Sequence, residues 1–157
     1  MLTEERTFVA IKPDGVQRGL VGEILSRFER KGFKILAMKL LQVSDEQAAS
    51  HYAEHVGKPF YPRLVKYITS GPIVAFVVKG YGVVDSVRQI VGATSPVKAD
   101  VGTIRADYAQ VMEYNVIHAS DSLASAEREI AIYFNEHEIL DTWKTKTEEL
   151  IEEDELL

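Results

Sequence analysis

The run Ile73-Val74-Ala75-Phe76-Val77-Val78 constrains the fold of this chain more than any other stretch. It is apolar at every position and rich in β-branched and aromatic side chains, so it reads as a strand with both faces out of water, central in a sheet. A central strand needs neighbours. Residues 7–11 supply one, Thr7-Phe8-Val9-Ala10-Ile11, halted by Lys12-Pro13-Asp14-Gly15, where proline offers no ladder donor and Asp-Gly marks a turn. Residues 33–43 and 109–117 read as two more strands. Helix signals lie between them. Over 20–31, Val21, Ile24, Leu25 and Phe28 form one apolar stripe before the stop at Gly32. Ser44-Asp45-Glu46-Gln47 has the form of a capping box, opening a helix to about Glu54. Further helices are predicted over 61–69, ended by Ser70-Gly71-Pro72, over 83–91, and over 123–134 behind the cap Ser122. The order of elements suits an antiparallel or mixed sheet with helices packed on one face, and the fold expected from it is α+β, a ferredoxin-like βαββαβ sandwich with a four-stranded antiparallel sheet. Residues 92–102 form a long loop around Pro96, and ordered loops of that length tend to be functional.

Charge narrows the function classes. Of the 24 acids, six lie in the last ten residues, and the remaining acids equal the 18 bases in number. A balanced body behind an acidic tail is not the net basic surface that nucleic acid requires. The chain thus divides into a domain over 1–147 and an acidic tail over 148–157. In that tail Leu150, Ile151, Leu156 and Leu157 offer apolar contact at near-helical spacing, suited to a neighbouring subunit. No apolar run reaches the ~20 residues of a membrane span, the first residues lack the pattern of a signal peptide, and cysteine is absent, which together point to the cytoplasm.

Chemistry concentrates around Asn115-Val116-Ile117-His118-Ala119-Ser120-Asp121-Ser122. β-branched residues lead into His118 and small polar residues end the strand, which puts the imidazole at a strand end. Eleven residues on, Glu129 can reach back and fix the ring. An imidazole held by a carboxylate is a nucleophile or proton carrier near neutral pH. Lys12 ends the first strand, Arg88 lies in the helix after the central strand, and Arg105 follows the long loop. Each has a plainer reading as a solvated base. Together, in a balanced body, they form a phosphate site to which Thr94 could add a hydroxyl. The phosphate-binding motif G-x-x-x-x-G-K-[ST] is absent. His51 and His55 stand four apart, but Tyr52 occupies the position at which zinc proteases carry glutamate, so no metal site is read there. His137 reads as a solvated loop residue. Phe60 and Tyr61, between Pro59 and Pro62, form either packing at a helix start or a stacking surface for a flat ligand.

At these residues the chain closely resembles the nucleoside diphosphate kinase family. The matching stretches are Thr7 to Gly22, Ser70-Gly71-Pro72, Gly102-Thr103-Ile104-Arg105, Asn115 to Ser122, and the helix Ser125-Ala126-Glu127-Arg128-Glu129-Ile130. The resemblance runs from about Arg6 to about Trp143. It implies a ping-pong phosphotransferase in which His118 takes the γ-phosphate of a nucleoside triphosphate, mainly ATP, and passes it to a diphosphate. It implies phosphate binding by His55, Arg88, Thr94 and Arg105 with Tyr52 close by. Sugar hydroxyls fall to Lys12 and Asn115, and a base slot to Phe60, Leu64 and Met112. Ser120 and Glu129 support the histidine, Mg²⁺ is held mainly by the nucleotide phosphates, and the assembly is a homo-oligomer, which in this family is a hexamer or, less often, a tetramer. The chain departs from the family pattern at Ala119 and Ala106, each in place of glycine, at Ser95 in Thr94-Ser95-Pro96, and at Val101. If those glycines need positive φ, each alanine costs about 1 kcal/mol. Two other classes remain open to test: a ferredoxin-like module that binds a small ligand without chemistry, and a nucleic-acid-binding regulator.

Overall fold

The computed structural model describes residues 3–155. Strand β1 (Glu4–Ile11) leads directly into a short helix, α1 (Pro13–Gln17), so the segment that halts the strand is a helix start rather than a turn. Pro13 stands in its first turn, where a missing N–H costs nothing. Helix α2 (Val21–Lys31) ends at Gly32, whose φ of 96° is the left-handed stop that glycine permits. Strand β2 (Lys34–Leu41) precedes α3 (Asp45–His51), where the capping box forms as expected: Gln47 N donates to Ser44 Oγ at 3.1 Å and Ser44 N to Gln47 Oε1 at 3.0 Å. The helix expected to reach Glu54 stops at His51, and Ala53–His55 tighten into a 3₁₀ turn. Then follow α4 (Tyr61–Ile68), β3 (Ile73–Tyr81), α5 (Val83–Val91), α6 (Ile104–Tyr108), β4 (Ile117–Ala119), α7 (Leu123–Tyr133) and α8 (Lys146–Glu155).

The four strands lie in the order β2-β3-β1-β4, and every neighbouring pair is antiparallel. The stretch 73–78 is central, as its composition demands. Its period-2 alternation divides the core between two faces. Val9, Ile11, Val74, Phe76 and Val78 pack with Ile24 and Phe28 of α2 and with Val83, Val87 and Val91 of α5. Phe8, Ala10, Ile73, Ala75 and Val77 pack with Ala48 of α3, Ile68 of α4, and Ile130 and Tyr133 of α7. Helices therefore cover both faces, not one. The two crossover helices α2 and α5 share a face, as a ferredoxin-like domain requires, and the additional helices close the other. Each fully buried side chain such as Phe28 or Phe76 contributes about 1.5–3 kcal/mol of transfer free energy.

The fourth strand is displaced from its expected position. Residues 109–116 are not a strand. After α6 the chain makes a 3₁₀ turn at Met112–Tyr114, and only then come the three residues of β4, starting at Ile117. Thr103 starts α6 by accepting from Ala106 N at 3.2 Å. Val116 interrupts extended pairing, with φ at 75° and Ile117 N donating to Asn115 O at 2.8 Å. That is the positive-φ γ-turn, strained for a β-branched residue, and it is held by Lys12 N on Val116 O at 2.8 Å. His118 thus sits within a strand rather than at its end.

The acidic C-terminal segment is helical from Lys146 and begins by packing on its own chain. Thr147 lies against Gly32, and Glu148 stands 3.6 Å from the buried ammonium of Lys34. Leu150 is exposed and Ile151 half-buried, while Leu156 and Leu157 fall outside the described residues. Among the described residues, no helix is long and apolar enough to cross a membrane.

Candidate active site

β4 pairs with β1 so that His118 stands opposite Ala10. Its ring emerges on the α7 side of the sheet, 6.0 Å from the ring of Phe8. Glu129, one residue before the core position Ile130 on α7, meets it: His118 Nε2 hydrogen-bonds Glu129 Oε1 directly. Ser120 Oγ donates to the same oxygen at 3.0 Å, and Arg128 Nη2 stands 3.6 Å from the other. Glu129 is 4% exposed, so these partners, not water, satisfy its charge. With Nε2 committed, Nδ1 is the nitrogen left for chemistry, on a side chain 25% exposed.

Behind this pair lies His51, from the end of α3. Its ring meets that of His118 edge to face with centroids 4.6 Å apart, and its Nδ1 is 2.8 Å from Tyr133 Oη. Tyr133 stacks on Phe8 at 5.1 Å with an interplanar angle of 4°. Burial, and then the nearby charge of His118, Lys12 and Arg128, push the His51 pKa down to about 2, so this imidazole stays neutral. Sequence reasoning placed His51 only in a rejected metal pair; no local signal links residues so far apart in the chain.

On the other side, Lys12 Nζ donates to Asn115 Oδ1 at 2.7 Å, and Asn115 Nδ2 donates to Thr94 O at 3.1 Å. The Lys12 pKa is pushed down to about 7 by desolvation, with Arg105 adding to the shift and Asp14 opposing it. Its ammonium also lies 5.7 Å from the Tyr67 ring centre, and Tyr67 donates its hydroxyl to Asp14. Burial and then Asp14 raise the Tyr67 pKa, keeping the phenol protonated. Asp14 and Tyr67 escaped the sequence reading because Asp14 sat in what looked like a turn.

Two guanidinium groups flank the histidine. Arg105 Nη2 donates to Ile117 O at 2.6 Å and Nη1 to Gly92 O at 3.1 Å, while Arg88 Nη1 donates to Ala119 O at 3.3 Å. They are anchored on the carbonyls just before and just after His118. Arg105 is 5% exposed, and burial followed by repulsion from Arg88 brings its pKa down to about 10, still cationic at neutral pH.

A line of rings runs outward from His118 through His51, Tyr52, His55 and Phe60, with successive centroids 4.6, 4.8, 6.3 and 5.2 Å apart. Phe60 and Met112, from different elements, are 43% and 55% exposed. Leu64 is half-buried one turn beyond Phe60, and its N donates to Phe60 O at 3.2 Å. Thr94 is exposed and joins the cluster through its carbonyl. Neither alanine departure is strained. Ala106 is helical, Ala119 is in β4, and among the described residues Val116 alone has positive φ without being glycine.

A family model described as nucleoside diphosphate kinase matches residues 5–139. The nucleoside diphosphate kinase of Thermus thermophilus is 62% identical over 136 residues, covering 87% of this chain and 99% of that protein. That of Archaeoglobus fulgidus is 56% identical over 150 residues, covering 96% and 99%. The structure of a halophilic nucleoside diphosphate kinase from Halobacterium salinarum in complex with CDP superimposes with a TM-score of 0.91 at 46% identity, covering 95% of this chain and 99% of that one. A nucleoside diphosphate kinase family protein from Babesia bovis gives 0.90 at 43%, covering 94% and 99%. The chain belongs to the nucleoside diphosphate kinase family.

Proposed function

We propose that this kinase transfers phosphate in two half-reactions through a phosphohistidine on Nδ1 of His118. The observation that carries the reading is the commitment of Nε2 to Glu129, which leaves Nδ1 free of that bond on a residue whose flanking carbonyls hold two guanidinium groups. The Nδ1 lone pair attacks the γ-phosphorus of a nucleoside triphosphate. An N–P bond forms, the P–O bond breaks, and its electron pair leaves on the diphosphate. The positive charge that develops on the ring rests against the Glu129 carboxylate, with the proton held at Nε2. Charge on the equatorial oxygens of a loose transition state is met by Arg88 and Arg105. A second diphosphate then attacks the phosphohistidine and reverses these steps.

Around that centre, His55, Thr94 and the two arginines hold phosphates with Tyr52 close by, and Lys12 and Asn115 hold the sugar hydroxyls. The base stacks at Phe60, Leu64 and Met112, with Ser120 and Glu129 supporting the nucleophile. A stacking slot without polar groups for base edges accepts any nucleobase. Mg²⁺ would be held by the nucleotide phosphates and would neutralise part of their charge. The metal-binding cluster among the described residues is two imidazoles and one carboxylate, a poor match for a cation that wants octahedral oxygen. Residues 1–147 carry the chemistry and the acidic segment 148–157 lies outside it. We further read the protein as a cytoplasmic homo-oligomer, a hexamer rather than a tetramer, without a nucleic-acid partner.

Incubation with γ-labelled ATP tests the reading. The label is expected to be acid-labile and base-stable, and absent from His118→Ala of native circular dichroism. Label retained on that variant would move the nucleophile to Ser120 or Ser122.

A further inference from the structure

The buried polar groups behind His118 include one that nothing in the reaction uses. Nε2 of His51 has no hydrogen-bond partner, although the residue is only 7% exposed. The His51 ring stands against that of His118, and one ligand atom from each of His51, His118 and Glu129 lies within 4.8 Å of the other two. We propose that His51, His118 and Glu129 form a binding site for Zn²⁺ that switches the enzyme off reversibly, distinct from the Mg²⁺ carried by nucleotide.

The donor set selects the ion. Two imidazoles and a carboxylate are the ligands of three-coordinate protein sites for zinc, with a fourth position left for water. Bonds of about 2.0–2.2 Å set tetrahedral donors roughly 3.4 Å apart, so His118 and Glu129, now in direct hydrogen-bond contact, must part to admit the ion while His51 draws in, a side-chain adjustment. The outer partners that orient zinc ligands are already in place. Tyr133 Oη sits 2.8 Å from His51 Nδ1, so that with the proton on Nδ1 the ring's lone pair is on the unpartnered Nε2, and Ser120 Oγ holds Glu129 at 3.0 Å. The half-buried ring of His118 gives the ion a path from solvent.

The consequence follows from proton bookkeeping on one ring. On the proposed mechanism an N–H at Nε2 of His118 donates to Glu129 and the lone pair is at Nδ1. A zinc ion takes the Nε2 lone pair, so the ring's proton must stand on Nδ1. No electron pair then remains there to attack phosphorus. The carboxylate that would balance a developing imidazolium is also bound to the metal. Removing the ion restores the reactive tautomer without any covalent change.

This inference rests on Nδ1 of His118 being the nucleophile, and its test is run without nucleotide so that the two can fail separately. Zn²⁺ alone is titrated into the full chain, with Co²⁺ as a spectroscopic stand-in, while ¹⁵N shifts of the His118 ring are followed. One ion per chain is expected, with Co²⁺ absorption typical of four-coordination that Zn²⁺ abolishes. His118 Nδ1 should change from unprotonated to protonated. His51→Gln and Glu129→Gln should each weaken binding about tenfold or more. An unchanged Nδ1 signal in zinc-loaded wild type, or zinc affinity equal in both variants and wild type, overturns the proposal and leaves adventitious surface binding. If His51→Gln does not fold, the Nδ1 signal and Glu129→Gln decide. Failure of the zinc-free enzyme to form phosphohistidine would strike the reading of His118 instead.

Discussion

If nucleotide seats against Lys12 as proposed, the depressed pKa of this lysine makes binding a proton-uptake reaction. Desolvation and the nearby Arg105 guanidinium bring this ammonium down from 10.5 to about 7. A phosphate-bearing ligand beside Lys12 and Arg105 supplies the missing counter-charge and returns Lys12 to its protonated form. With a pKa of about 7, roughly one Lys12 in ten is charged at pH 8, half at pH 7 and nine in ten at pH 6. Binding of a nucleoside diphosphate should therefore take up about 0.9 proton at pH 8, 0.5 at pH 7 and 0.1 at pH 6, and affinity should fall up to tenfold per unit above pH 7. Calorimetric titrations in buffers of contrasting ionisation enthalpy read the uptake directly. Lys12→Gln supplies the background from the nucleotide's own phosphates and every other group. Equal proton uptake in wild type and Lys12→Gln at pH 8 would refute the argument. The same shift acts on stability with a definite sign. A lysine whose folded pKa lies below its unfolded value costs stability in full below about pH 7, and the cost disappears as pH rises toward 10.5.

His51 provides an independent pH signature: its folded pKa of about 2 lies far below the unfolded 6.5, so stability is intact above 6.5 and declines by up to about 1.4 kcal/mol per unit as pH falls below it. Urea midpoints between pH 7 and pH 5 should show this slope, and a His51→Gln protein with an equally steep decline would contradict it. Glu129→Gln keeps a hydrogen bond but loses the charge beside the imidazole, so phosphoenzyme formation should slow on the order of 100-fold without vanishing; wild-type rates in rapid-quench labelling would remove Glu129 from the site. Acceptor preference among GDP, CDP, UDP and dTDP should stay below about 100-fold, or nearly 3 kcal/mol, and competition kinetics exceeding that would require a base-reading hydrogen bond. At Val116 the usual order of alanine over glycine should invert: with φ at 75°, Val116→Gly should be about 1 kcal/mol more stable than Val116→Ala by denaturant unfolding, and the opposite order would deny the strain.

What could be read from the chain follows a physical divide. Local signals were sufficient for the central strand, for the Ser44 capping box and for the stop at Gly32, because each depends on neighbouring residues alone. They failed over 109–117, where Val111, Tyr114 and Val116 imitate strand composition while Thr103 caps a helix just upstream and Val116 turns the chain at positive φ. The displaced strand still delivered His118, since its partner Ala10 and the carboxylate of Glu129 are fixed by the sheet and by α7. One-sided helix packing was expected because the two crossovers dominate the element order; the closing of the other face by α3, α4 and α7 depends on tertiary contacts. For the same reason His51 looked like half of a failed metal motif. Its neighbours are Tyr133 and His118, 82 and 67 residues along the chain, and no spacing rule reaches that far.

A strand is a stiff mount. His118 is pinned on β4, with Ser120 N donating to Phe8 O at 3.1 Å and two arginines gripping the carbonyls on either side. On the proposed mechanism such a nucleophile cannot swing between a donor chamber and an acceptor chamber. Donor and acceptor must take turns in a single seat, and the unphosphorylated enzyme cannot tell a diphosphate that has just been made from one that is waiting to be charged. A surplus of acceptor will therefore occupy the seat before the donor arrives and slow turnover. The catalyst responds to the ratio of triphosphate to diphosphate across all bases together, acting as an equaliser between nucleotide pools rather than as a pump in one direction.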